Sequence, residues 1–202
     1  MINTITQEKN KEVIMNIDPK KKFEHSKLME RFKELHRLYR ETFNDEYLME
    51  DDSLQHYFEC GGLERYEQIA LFCDEHNIKR VVDIGAAYGH QSEVFLQSDI
   101  DYIGVNSSKL DFWNQNQFKY ISGMYPCSIP VEKGDLGISV LCLTWNCYLY
   151  EKEKTLREQC EALQKDFEHV LLYMMPEKVS FVSKYFNNVE EIGDGLFYFN
   201  NN

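Results

Sequence analysis

The sequence predicts an α/β fold: a doubly wound, mostly parallel sheet preceded by a helical N-terminal extension. Three observations carry this reading. Short β-branched and apolar runs alternate with longer segments of helical period, the pattern of successive strand-helix units. The run Val81-Val82-Asp83-Ile84-Gly85-Ala86-Ala87-Tyr88-Gly89-His90 passes from a strand through a small-residue turn into a segment able to open a helix. The chain ends in a pair of short apolar runs flanking Gly193-Asp194-Gly195, a hairpin that adds an antiparallel strand.

Residues 1–22 are mostly polar and aperiodic, which predicts a flexible arm. Leu28, Phe32, Leu35 and Tyr39 follow at spacings of four, three and four, a helical stripe over His25–Phe43. Residues 23–60 are therefore expected as a helical lead-in or lid on a single domain spanning 23–202. The acidic segment Asn44–Ser53 lacks the glycine and spacing of a calcium loop and reads as a solvated loop. Gly62–His76 is a second helix, with Leu63, Tyr66, Ile69, Ala70 and Cys73 on one face.

After His76 the period shortens. Lys79–Ile84 reads as the first strand, Gly89–Gln97 as a helix and Tyr102–Val105 as the second strand. Lys109–Gln115 reads as a short helix and Phe118–Ile121 as the third strand. Pro126 and Pro130 mark a loop, since neither fits a central strand. Leu136–Leu143 is nearly all apolar, which predicts a strand buried on both faces. Glu151–Glu168 carries the stripe Leu156, Cys160, Leu163 and Phe167, a clear helix. His169–Met174 is a fifth strand and Glu177–Phe186 a helix. Val189–Ile192 and Leu196–Asn200 form the closing hairpin.

Composition narrows the function. The chain has 202 residues, 43% of them hydrophobic, enough for a sizeable core. A net charge of −12 argues against sequence-independent nucleic-acid binding, which needs Lys and Arg to neutralise phosphates. Lys20-Lys21-Lys22 is too short to change that expectation. No apolar run approaches the ~20 residues of a membrane span, and Met1–Ser26 holds no apolar core of a signal peptide. The six cysteines show no C-x-x-C spacing and no accompanying histidine cluster, so no metal site is expected. Scattered thiols fit a reducing, cytoplasmic setting.

In an open α/β sheet, ligands bind beyond the carboxyl ends of the strands. Three loops end there: Asp83–His90, Val105–Ser108 and Ile121–Pro126. The first lets backbone approach a ligand closely, and a helix start would aim free N–H groups at it. A nucleotide-like cofactor is the guest this implies. Its spacing departs from the dinucleotide fingerprint G-x-G-x-x-G: aligned on Gly85, the other glycine positions hold Ala87 and His90. That disfavours an NAD-type oxidoreductase.

The stretch Asp83-x-Gly85-x-Ala87-x-Gly89 resembles motif I of the class I S-adenosylmethionine-dependent methyltransferases, an acid-x-Gly-x-Gly-x-Gly loop after the first strand. The resemblance runs in element order from about Leu63 to the end of the chain. It implies a seven-stranded sheet of order 3-2-1-4-5-7-6 with the seventh strand antiparallel, and S-adenosylmethionine as cofactor. It implies that Gly85, Ala86, Ala87 and Gly89 wrap the methionine end. Asp83 would orient the loop amides or reach the cofactor amino group through water. Two positions depart from the family pattern. Ala87 replaces the middle glycine, and Asn106 stands where the family places the acid that grips the ribose hydroxyls. Asparagine keeps an acceptor but loses the charge-assisted strength of a carboxylate. No acid follows the third strand; Met124 and Tyr125 stand there, either against the adenine or in the core.

Methyl transfer asks mainly for alignment and exclusion of water, and a base only where the acceptor is protonated. His90, at the mouth of the loop, and Asn146, after the fourth strand, are the candidate catalytic residues; helix-start and capping roles are the alternatives. Trp145 could wall a pocket, His56 and Tyr57 close over it, and Tyr173 and Met175 line it. The Leu143-Thr144-Trp145-Asn146 segment is not the Asp/Asn-Pro-Pro-aromatic motif of nucleic-acid amino-methylating enzymes. The resemblance thus implies a small-molecule methyl acceptor, with no nucleic-acid or membrane partner. The competing reading is a catalytically inactive relative that binds a protein partner.

Overall fold

The structure, a computed structural model, describes residues 27–31, 33–34, 37, 41, 62–86, 89–107, 119–140, 142–143, 152–193 and 195–201. The expected arm over 1–22 and most of the expected lid over 23–60 lie outside the described residues, as does the expected helix Lys109–Gln115. The described residues between Lys27 and Glu41 are helical, as the stripe predicts, and Leu28 is fully buried.

Seven strands form one sheet: β1 (Arg80–Ile84), β2 (Asp101–Asn106), β3 (Lys119–Ser122), β4 (Leu136–Val140), β5 (His169–Tyr173), β6 (Asn188–Gly193) and β7 (Leu196–Asn200). Their order is β3-β2-β1-β4-β5-β7-β6, the order the family resemblance implies. β1 to β5 pair in parallel, whereas β7 runs antiparallel to both β5 and β6. β1 therefore lies between β2 and β4, where the strand order reverses. That reversal is the topological switch point.

Helices cover both faces. α1 (Gly62–Glu75) and α2 (Ser92–Leu96) pack on one face, and α3 (Lys152–Asp166) and α4 (Pro176–Val182) on the other. Strand alternation sorts the side chains. Val81 and Ile138 face Tyr66, Ile69 and Phe95, while Val82 and Ile84 join Leu156, Cys160 and Leu163. On β4, Gly137 leaves room for the Phe167 ring: a Cβ there would come within 2.8 Å of it.

Several boundaries differ from the sequence expectation, and at three elements the reason is local. The helix expected from Gly89 begins only at Ser92, because Gly89 takes a positive φ of 65° and sits in a turn. β4 stops at Val140 instead of reaching Leu143, because the Leu143 N–H turns back to the Ser139 hydroxyl at 3.3 Å. The expected helix Glu177–Phe186 starts at Pro176, a residue pre-shaped for a first helical turn, and tightens into a 3₁₀ turn at Ser183–Tyr185.

The amino ends of β1 and β4 are clipped together by a two-pronged ion pair. Arg80 donates from Nε to Asp135 Oδ1 at 3.0 Å and from Nη2 to Oδ2 at 2.6 Å. Asp135 also accepts the Glu132 N–H at 2.7 Å and is 5% exposed. Arg80 further contacts Glu132, whose side chain is 76% exposed. Breaking a buried pair leaves an uncompensated charge, whereas an exposed one contributes little. Arg80→Leu is expected to lower unfolding free energy by about 3 kcal/mol in urea denaturation, and Glu132→Gln by less than about 1 kcal/mol.

Candidate functional site

β1 ends at Ile84, and the chain turns at once. Gly85 adopts φ 84°, a conformation that side-chain-bearing residues rarely hold. A second constraint acts at the same atom. A Cβ on Gly85 would lie 2.1 Å from Cys142 Sγ and 2.2 Å from its Cβ, so the β4 loop is packed directly on the glycine. Ser139 secures that contact. Its hydroxyl donates to the Ile84 carbonyl at 2.8 Å and accepts the Leu143 N–H. The ends of β1 and β4 are thus joined through one buried serine.

A cavity of about 470 Å³ opens at this switch point, within the range of small-molecule sites. Ile84 and Gly85 form its floor at β1, with Val105, Asn106 and Ser107 from β2 beside them. Gly123, Met124 and Tyr125 follow from β3, Cys142 and Leu143 from β4, and Thr155 and Gln159 from α3. Every one of these described lining residues is uncharged. A larger hollow of about 720 Å³ lies at the opposite edge of the sheet, around the ion-paired Arg80, Glu132 and Asp135. Its groups are the clip already described, so the smaller cavity is the candidate site.

Of the residues expected to hold a cofactor, Gly85 and Asn106 line the cavity. Asn106 Oδ1 accepts the Ser107 N–H at 3.0 Å, so part of its acceptor capacity closes its own loop. Asp83, Ala86 and Gly89 are buried behind the turn; Ala87 lies outside the described residues. The loop amides do not behave as the sequence suggests. Gly85 N–H and Ala86 N–H both donate to the Val105 carbonyl, at 2.8 and 3.1 Å, and Gly89 N–H donates to the Ala86 carbonyl at 2.8 Å. The turn supplies a contour for a ligand, and these three N–H groups hold that contour in place.

Asp83 is fully buried, and its partners are side chains instead of loop amides. Oδ2 accepts from Gln91 Nε2 and from the Tyr102 hydroxyl, each at 2.7 Å. The same Gln91 amide donates to the Ala86 carbonyl at 2.9 Å. Oδ1 has no hydrogen-bond partner among the described residues. Burial pushes the carboxyl up from its ordinary 3.8 to about 6, against the two hydrogen bonds that favour ionisation.

Of the candidate catalytic residues, Asn146 lies outside the described residues. His90 is 6% exposed and does not line the cavity, because the turn after Gly89 folds it inward. Trp145, His56 and Tyr57 lie outside the described residues. Tyr173 is not in the lining; its hydroxyl accepts from Arg65 Nη2 at 3.0 Å under a guanidinium 4.0 Å from the ring centroid. Met175 is 40% exposed, also outside the lining. Met124 and Tyr125, after β3, both line the cavity. Met124 stands at the rim, 77% exposed, whereas Tyr125 is core, its hydroxyl donating to Asp166 at 3.1 Å.

Sequence reasoning missed Cys142, Ser107, Thr155 and Gln159. Thr155 and Gln159 carried a usable signal: each precedes a stripe residue, Leu156 and Cys160, and so borders the buried face one position away. Cys142 carried none, because only the turn after β4 brings it onto Gly85.

A carboxyl raised on folding binds its proton more tightly in the folded state. Stability from this group is therefore greatest below about pH 4 and declines as pH rises toward 6. A shift of this size corresponds to about 3 kcal/mol. The unfolding free energy of the wild type, compared with Asp83→Asn by chemical denaturation from about pH 4 to 7, is expected to decline more steeply by roughly that amount. Parallel profiles would show that Asp83 carries no raised titration.

The sequence matches no family model and no curated protein. Among solved structures, the fold is similar to the bifunctional kinase–methyltransferase WbdD, with a TM-score of 0.54 and 14% identity over 72% of this chain and 41% of that one. This chain thus spans about two fifths of WbdD. The methyltransferase domain of bacterial CtHen1 matches with a TM-score of 0.52 and 12% identity, over 69% of this chain and 98% of that one. A TehB-like SAM-dependent methyltransferase from Corynebacterium glutamicum matches with a TM-score of 0.50 and 10% identity, over 74% and 95%. Strand order, the antiparallel seventh strand and these likenesses agree: the chain has the fold of the class I S-adenosylmethionine-dependent methyltransferases.

Proposed function

We propose that this protein is an S-adenosylmethionine-dependent methyltransferase acting on a small molecule. The observation that carries the reading is the cavity at the switch point, floored by the Gly85 turn and flanked by Asn106. Its size suits a nucleoside-sized ligand. The lining places no cation against a sulfonium, and the net charge of −12 favours a cationic guest. The absence of side-chain bulk at Gly85 is a matched feature, since any Cβ there would strike Cys142.

Bound in this cavity, the cofactor would supply an already activated methyl group. The chain's own tasks are then to hold the nucleoside, align the acceptor and exclude water. Gly85 shapes the floor, while Asn106, Ser107, Thr155 and Gln159 offer neutral hydrogen-bonding groups around it. A single domain over 23–202, a lid from 23–60 and a cytoplasmic setting belong to the same proposal. The scattered cysteines, with no C-x-x-C spacing, suit a reducing compartment.

One observation favours the competing reading, a non-catalytic relative that binds a protein partner. Asn106 replaces an acid and closes its own loop through Ser107. Titration calorimetry with S-adenosylmethionine and S-adenosylhomocysteine separates the two. The methyltransferase reading expects saturable binding that Gly85→Arg abolishes. It also expects Asn106→Asp to tighten binding by roughly tenfold, the gain from a neutral to a charge-assisted hydrogen bond. No binding at millimolar ligand favours the non-catalytic relative. Unchanged or weaker binding by Asn106→Asp would mean that Asn106 does not face the ribose.

A further inference from the structure

The Asp83 cluster is a buried polar assembly that the proposed reaction does not use directly, and it touches the cofactor turn. Gln91 bridges two parts of that turn's support: its amide donates to Asp83 Oδ2 at 2.7 Å and to the Ala86 carbonyl at 2.9 Å. Tyr102 reaches the same oxygen from β2 at 2.7 Å, its ring stacked on Phe95 at 5.5 Å. Phe95 in turn meets Tyr66 edge-on at 6.2 Å. Tyr102 is thus held by packing from α2 and, behind it, α1. Asp83 Oδ1, on the same carboxyl, has no partner among the described residues.

We propose that Gln91 and Tyr102 are positioning residues for the cofactor turn, and that they hold it in its binding shape through the ionised form of Asp83. The proposal rests on the methyltransferase reading. Its logic is one of bond strength. Two donors on a carboxylate oxygen make charge-assisted bonds, roughly twice as strong as the bonds they make to a neutral carboxyl. A proton has one open place, Oδ1. Its arrival leaves both donors in reach but weakens each bond, and with them the anchor of Gln91 and Ala86. The turn would then grip its ligand less well, even though burial of the neutral carboxyl is easier for the fold.

Among the described residues, the surroundings of Asp83 contain little else to titrate. On this face of the sheet, β2 presents the Tyr102 phenol and β4 presents Leu136 and Ile138. α1 contributes buried Tyr66 and the Cys73 thiol, which burial pushes up to about 12 and so keeps neutral. The segment leading into α2 adds His90, and α2 itself Glu93, which contacts Arg31 at 3.8 Å. Burial places the Asp83 carboxyl at about 6, inside the range an experiment can scan.

Fold stability and ligand affinity should therefore move in opposite directions on acidification, which a purely structural cluster would not produce. The test is calorimetric titration of the wild-type protein with S-adenosylhomocysteine near pH 5 and near pH 7.5. Affinity is expected to be about tenfold weaker at the lower pH, with close to one proton released per ligand bound there. Asp83→Asn should give one affinity at both pH values. Tyr102→Phe keeps the ring and removes one donor, so the midpoint of the affinity profile should move to higher pH. Equal wild-type affinity at the two pH values, or an unmoved midpoint in Tyr102→Phe, would overturn the proposal alone. No binding at either pH, with the Asp83-linked stability profile still present, would overturn the cofactor reading and this proposal with it.

Discussion

A carboxyl with no exposure and no counter-ion among the described residues sits next to the end of the central strand, and the turn at the switch point is built on it. Asp83 is one residue before Ile84 and two before Gly85, so its constraints pass directly into the turn. Burial opposes its charge, and two hydrogen bonds to one oxygen offset only part of that opposition. Perturbed buried ionisable groups concentrate where a protein does chemistry or holds a ligand, and this one lies beside the switch point.

The two edges of the sheet divide the work. At the amino edge, Arg80 and Asp135 meet in a bidentate pair that also captures the Glu132 N–H. Every partner is matched, and the arrangement clips β1 to β4. At the carboxyl edge the same two strands are joined by neutral groups, through Ser139 and the contact of Cys142 with Gly85. Charge is kept out of the cavity and held beneath it. A ligand therefore meets a surface whose shape is fixed from below.

Most of the fold was legible because its signals are periodic. Strands of the central sheet are short apolar runs, and the helices show the 3.6-residue stripe, so element type and order follow. The order of strands needed the family resemblance, since pairing is a long-range choice that periodicity does not encode. The ends of elements were less legible. Gly89 looks like an ordinary helix entrance until its positive φ holds it in a turn, and the Ser139 hydroxyl, which stops β4, leaves no trace in an apolar run. The site was legible at Gly85 and Asn106, which carry a motif. The roles of Gln91, Tyr102 and Cys142 come from contacts across eight, nineteen and more residues of chain. No local pattern announces them. Of the two roles expected of Asp83, orienting the loop amides or reaching a cofactor amino group through water, the described contacts display neither: the Gly85 and Ala86 N–H groups donate to the Val105 carbonyl, and Asp83 accepts from side chains.

An uncharged cavity lining has a consequence for recognition. A carboxylate at position 106 would hold a ribose by strong, directional bonds and tolerate some looseness in the turn. With asparagine there, affinity has to come from neutral hydrogen bonds and from fit, both of which decline steeply with small displacements. The turn must then be rigid before the ligand arrives, so that little ordering is left to oppose binding. The buried network supplies that rigidity: the Gly85 and Ala86 N–H groups donate to the Val105 carbonyl, and the Gly89 N–H and the Gln91 side-chain amide donate to the Ala86 carbonyl. On the proposed reading, the neutral Asn106 at the cavity and the buried carboxyl of Asp83 next to the turn are complementary features. The first makes the exact shape of the turn matter more, and the second keeps that shape.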